Sequence, residues 1–266
     1  MTWAEIVCSR GKGERALQEI TSPATRRPGS GGFREATREL KSLTGSLERK
    51  LLLWLAARLP PWMNSDHLTV LGFLAMVAAG ACYALTRYDP RWLHAVNVLL
   101  VVNWFGDSLD GTLARHRNRL RPRYGFYVDH IVDMYGFLAL LGGLAVSPYM
   151  SRWVAFGLLV VYYMLSIHIY LSTYTEGVFK IAYGKVGGTE MRLIVIAGNL
   201  VLLVHPYVTV AGRSYALYDL AGTLAIAGLA ATLVASTLRS TRRLYQLERL
   251  DPPARTRPSD AGPRPS

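Results

Sequence analysis

The chain has 266 residues, 51% of them hydrophobic, and a formal net charge of +12. That apolar share, once the polar ends are set aside, excludes a long solvated domain and points to a membrane protein. The excess of Lys and Arg lies at the ends of apolar runs, where anionic lipid headgroups and the positive-inside bias account for it, so nucleic acid is not an expected partner.

In chain order, residues 1–44 are rich in Arg, Gly, Ser and Thr, with TSPATRRPGSGG at their centre. They read as a disordered basic cytoplasmic tail. No secretory signal peptide is expected, because the first long apolar run begins only after about sixty residues. Cys8 in this tail and Cys82 in an apolar span imply neither a disulfide framework nor a metal site. Residues 45–61 include GSLERKLLLWLAARL, which has an apolar face flanked by Arg49, Lys50 and Arg58 and is too short to cross a bilayer. A short interfacial amphipathic helix is expected there, ended by Pro60-Pro61, with a helix packed over the membrane domain as the alternative.

Residues 62–244 form the expected membrane domain. Its apolar runs predict six transmembrane helices, near Leu68 to Thr86, Trp92 to Ala114, Phe126 to Val146, Trp153 to Ser172, Met191 to Pro206 and Tyr218 to Leu238. Residues 245–266 are rich in Pro and polar residues and read as a disordered tail. The expected fold is therefore all-α, a polytopic membrane protein. One set of connections holds Arg115, Arg117, Arg119, Arg121 and Arg123, then Lys180 and Lys185, and Arg239, Arg242, Arg243 and Arg249 follow the last span. The opposite set holds only Arg87, Arg91, Arg152 and Arg213, so both termini are expected in the cytoplasm.

Carboxylates in such segments are costly, about 2.5 to 3.5 kcal/mol for an Asp at a helix centre. Yet Asp107, Asp110, Asp129 and Asp133 lie beside or inside the second and third spans. Asp107, Asp110, Gly111 and Ala114 fall at i, i+3, i+4 and i+7, and Gly125, Asp129 and Asp133 at i, i+4 and i+8. Each set shares one helix face, so the two stripes can face one cavity. Acids packed together stay partly protonated unless cations neutralise them, and hard divalent ions bridged by carboxylates form a clamp for displacement at phosphorus. Two divalent ions are the expected occupants of such a cluster.

The run Asp107-x-x-Asp110-Gly111-x-x-Ala114-Arg115, followed by Gly125-x-x-x-Asp129-x-x-x-Asp133, resembles the signature of the CDP-alcohol phosphotransferase (CDP-alcohol phosphatidyltransferase) family at all eight positions. The resemblance implies a transferase of phospholipid biosynthesis that moves a substituted phosphoryl group from a CDP-linked donor to an alcohol and releases CMP. By the same resemblance Asp107, Asp110, Asp129 and Asp133 are ligands of two Mg2+ or Mn2+ ions that meet the donor's pyrophosphate, and Asp133 is also the general base. Arg115 would contact donor phosphate, and Gly111, Ala114 and Gly125 would let the cytidine moiety approach the helices. The family also implies a homodimer, while the charge bias of the connections puts the aspartate stripes at the cytoplasmic ends of spans two and three, with a bacterial inner membrane as the expected location.

Upstream, Ser65-Asp66-His67-Leu68-Thr69 departs from the family's Pro-Asn-x-Leu-Thr at the Pro-Asn pair. Lys180, Lys185 and Arg192 would suit a phosphate-bearing acceptor alcohol, although a hydrated loop with a helix cap at Thr189 also explains YGKVGGTEMR. His130 and the cluster Tyr162, Tyr163, Tyr170 and Tyr174 read as packing or interfacial residues. The expected reaction transfers the phosphatidyl group of CDP-diacylglycerol to a polar alcohol at the membrane, releasing CMP. The alternatives are a CDP-choline or CDP-ethanolamine:diacylglycerol phosphotransferase, to which Asp129-His130 points, and, from another class, a cation transporter or membrane scaffold.

Overall fold

The computed structural model describes residues 45–176 and 187–248. A helix α1 (Gly45–Arg58) precedes α2 (Ser65–Leu85), α3 (Trp92–His116), α4 (Pro122–Val146), α5 (Arg152–Glu176) and α6 (Gly188–Val204). A hairpin of β1 (Tyr207–Val210) and β2 (Arg213–Ala216) then leads into α7 (Leu217–Leu247). The tails expected at 1–44 and at the end of the chain lie outside the described residues, except that α7 runs on to Leu247 rather than stopping at Leu238.

Helices stand at all of the predicted apolar runs. Four of them, α2, α4, α5 and α7, are long and apolar enough to cross a membrane, which makes this an integral membrane protein. The other two differ for visible reasons: α3 carries Asp107, Asp110, Arg115 and His116 in its second half, and α6 has only 17 residues, about 26 Å of helix.

Helix α2 is the element that positions the rest. It packs against both α3 and α4, while α5 packs on α4 and α7, α6 on α3, and α1 on α3. Its approach to its neighbours is backbone to backbone. A Cβ on Gly106 of α3 would lie 2.6 Å from the Leu68 carbonyl oxygen and 2.7 Å from the Gly72 nitrogen of α2. On the far half of α2, a Cβ on Gly143 of α4 would lie 1.8 Å from the Gly80 carbonyl oxygen, and one on Gly80 2.1 Å from that of Ala139. Small residues are what allow helices to approach this closely inside lipid.

Polar side chains add cross-links at both ends. Away from the aspartates, the buried Asn199 of α6 accepts hydrogen bonds from the Tyr83 and Tyr218 hydroxyls and donates to Asn97 Oδ1, each at 2.7 Å. This knot joins α2, α3, α6 and α7. At the other end, α1 buries Leu52 and Ala56 against Leu68, Leu109 and Leu113 and leaves Leu51, Leu53 and Trp54 exposed. Glu48 of α1 accepts from Trp104 Nε1 at 3.0 Å and from the Thr189 hydroxyl at 2.7 Å.

Two local outcomes depart from the sequence reading. Thr189 is not the cap of α6. The helix starts after Gly187, whose N–H donates to Glu190 Oε2 at 2.9 Å, and the Thr189 hydroxyl is turned to Glu48 instead. The hairpin also interrupts an otherwise all-α fold. Val210 pairs with Arg213 across Ala211-Gly212, both with positive φ (51° and 78°), the two-residue turn whose twist matches that of paired strands.

Candidate active site

The site is built where α3 ends and α4 begins. Asn118, at φ 52°, terminates α3 in a left-handed turn; its N–H donates to the Arg115 carbonyl at 3.1 Å and that of Arg119 to Ala114 at 2.9 Å, the Schellman pattern of a helix end. Arg117 leaves the turn sideways. Its guanidinium donates to the carbonyls of Leu59, at 3.0 Å, Pro60, at 2.9 Å, and Met63, fastening the α1–α2 connection to the end of α3. Helix α4 then starts with Pro122 in its first turn, where the missing N–H costs nothing.

With the turn so fixed, Asp107 of the first predicted stripe meets Asp129 and Asp133 of the second. Asp107 from α3 and Asp129 and Asp133 from α4 each offer a carboxylate oxygen, and these lie within 4.8 Å of one another. Asp107 and Asp129 are half-buried and Asp133 is exposed. Three carboxylates on two helices, meeting in a segment of membrane protein, form a donor set suited to a hard divalent cation.

Asp110 stands apart from this trio. Its Oδ2 accepts the Thr69 hydroxyl at 2.7 Å and its Oδ1 accepts the backbone N–H of Gly111. The Ser65 hydroxyl donates to the Asp110 backbone carbonyl at 3.0 Å. Asp66, the other residue that departs from the family pattern, is paired with Arg121 in an exposed salt bridge.

Arg192 comes in from α6. Its Nη2 donates to Asp107 Oδ2 at 2.6 Å and its Nε to Asn103 Oδ1 at 2.7 Å, while Asn103 Nδ2 donates to the Gly72 carbonyl at 3.0 Å. Such a charge-assisted pair is the strong kind of hydrogen bond and supplies the cluster with a fixed positive charge. Lys180 and Lys185, expected beside it, lie outside the described residues.

The remaining predicted residues are spread over α3, α4 and α5. Arg115 is exposed, with its guanidinium 3.6 to 3.9 Å from where a Gly111 Cβ would be, and a Cβ on Gly125 would meet nothing within 4 Å. Ala114 is partly buried on the same helix. The His130 ring lies on Phe126, 4.2 Å between centroids, and edge-on to Tyr170 at 5.2 Å. Its Nδ1 is also 3.7 Å from Asp129 Oδ2. Tyr162 stacks on Phe137, the Tyr163 hydroxyl donates to the Met134 carbonyl at 2.8 Å, and Tyr174 is exposed. Thr69, Asn103 and Glu48 were not singled out from sequence. For Thr69 the signal was present in its place in Leu68-Thr69, whereas Asn103 and Glu48 carry no local pattern.

The chain is similar in sequence to known proteins. Cholinephosphotransferase 1 of Gallus gallus is 29% identical over 164 residues, covering 58% of this chain and 47% of that protein. Archaetidylinositol phosphate synthase of Methanothermobacter thermautotrophicus is 30% identical over 148 residues, covering 54% of this chain and 71% of that protein. The chain thus spans about half the length of the first relative and more of the second. A family model described as CDP-alcohol phosphatidyltransferase matches residues 62–234, which takes in α2 to α6 and the aspartate stripes. With the match extending over more than half of its length and its eight signature residues gathered on two facing helices, the chain belongs to the CDP-alcohol phosphatidyltransferase family.

Proposed function

We propose that this protein is a membrane phosphatidyltransferase of phospholipid biosynthesis, which transfers the phosphatidyl group of CDP-diacylglycerol to a polar alcohol and releases CMP. The observation that carries the reading is the convergence of Asp107, Asp129 and Asp133 within 4.8 Å. Under this reading Asp107, Asp110, Asp129 and Asp133 are the ligands of Mg2+ or Mn2+. A divalent cation bound there would neutralise pyrophosphate charge and make phosphorus more electrophilic.

The side chains supply the rest. Asp133 takes the proton of the acceptor hydroxyl as its oxygen attacks the phosphatidyl phosphorus; the bond from that phosphorus to the bridging pyrophosphate oxygen breaks, and CMP leaves. Arg115 holds donor phosphate as a permanent charge, and the space over Gly111, Ala114 and Gly125 admits the cytidine. Arg192, with Lys180 and Lys185, suits an acceptor alcohol that carries its own phosphate.

The membrane arrangement is part of the proposal. All six helices from α2 to α7 cross the bilayer, α1 lies on the cytoplasmic leaflet, and both tails and the active site face the cytoplasm of a bacterial cell, with two copies forming a homodimer.

A second reading, in which CDP-choline or CDP-ethanolamine donates to diacylglycerol, is favoured by His130 beside Asp129 and by the likeness to cholinephosphotransferase 1. Purified protein supplied with CDP-diacylglycerol, Mg2+ or Mn2+ and a panel of alcohols should release CMP and form a new phospholipid with a phosphorylated acceptor. EDTA should abolish the release. CMP formed only from CDP-choline or CDP-ethanolamine with diacylglycerol would replace the first reading by the second.

A further inference from the structure

Asp110 is held by residues of α2 rather than by its fellow aspartates. Ser65 and Thr69 are one helical turn apart, so both face α3. Ser65 fixes the Asp110 backbone through its carbonyl, and Thr69 fixes the carboxylate. The Thr69 hydroxyl also lies 3.1 Å from the Ser65 carbonyl. It has one proton to give, and the carboxylate at 2.7 Å is the nearer claim on it. With Gly111 N–H on the other oxygen, each Asp110 oxygen accepts one hydrogen bond and keeps further lone pairs for a cation.

Resting on the function proposed above, we propose that Thr69, assisted by Ser65, is a positioning residue. Its hydroxyl sets the rotamer of Asp110 and so decides whether that carboxylate can join Asp107, Asp129 and Asp133 around a divalent ion. A hydrogen-bond partner of a metal-binding carboxylate fixes its direction, and its loss typically weakens metal binding about 10- to 100-fold. Ser65 replaces a proline of the family pattern, and proline has no hydroxyl, so the backbone half of this grip is particular to chains with Ser, or another donor, at 65.

The test measures Mn2+ binding by electron paramagnetic resonance on the full chain in lipid nanodiscs, without donor or acceptor. T69V should weaken Mn2+ binding about tenfold, T69S should restore it, and S65A should weaken it by a smaller factor. In a D110N background, which itself should bind Mn2+ more weakly, T69V should add nothing. Unchanged affinity in T69V or in D110N would overturn the proposal, as would a T69V loss that persists in full on D110N. Failure of the proposed function has a different signature, a wild-type chain that binds Mn2+ and releases no CMP from any donor.

Discussion

At the scale of single residues, the four aspartates do not share one environment. Asp107 is neutralised by Arg192, Asp110 is hydrogen-bonded by Thr69 and Gly111, and Asp133 is the most exposed of the converging three. That places the proposed base where an incoming hydroxyl can reach it. Asp133→Asn keeps the shape and removes the proton acceptor, so CMP release should fall by about 10^2- to 10^4-fold with an unchanged melting temperature. Near-normal turnover would remove Asp133 from the chemistry. The spacing of the aspartates was legible in the sequence because helical periodicity puts Asp107 and Asp110, and Asp129 and Asp133, on one face each. That Thr69 grips Asp110, and that Arg192 reaches Asp107, depend on contacts between segments far apart in the chain, about which periodicity is silent.

Among elements, the contacts that decide helix spacing were the least visible beforehand, because a glycine gives no signal of what lies against it. Gly80 and Gly143 bring α2 and α4 together with no room for a side chain. Gly143→Val should therefore push the two helices apart and destabilise the fold by about 3 kcal/mol or more, read as a lowered melting temperature in detergent. Gly142, one residue earlier, has nothing within 4 Å of its Cβ position, so Gly142→Ala should leave the melting temperature close to that of the wild type. Arg117 offers a second test at this scale. Its bonds to Leu59, Pro60 and Met63 close the ends of three helices around one guanidinium. Arg117→Ala should cost about 1 to 3 kcal/mol and expose the α1–α2 connection to protease. The helices themselves were readable from apolar run length. The hairpin at 207–216 was not, because its strands are four residues each, largely exposed, and turn at Ala-Gly rather than at a strong turn pair.

For the molecule as a whole, the basic connections give the proposed orientation a direct check. A single cysteine placed at Asn118, in the loop among Arg115 to Arg123, should react with an impermeant maleimide only in inside-out vesicles, and one at Gly212 only in intact cells. The reverse pattern would invert the proposed topology and put the aspartates out of reach of a cytoplasmic nucleotide. The close packing of α2 has its own consequence at this scale. Helices α3 and α4 each rest on the bare main chain of the same rod, so the gap between the two acidic edges is gauged by peptide atoms that no substitution can trim. Of these seats Gly106 adjoins Asp107 itself, so any side chain added there would wedge the first acidic edge off its support.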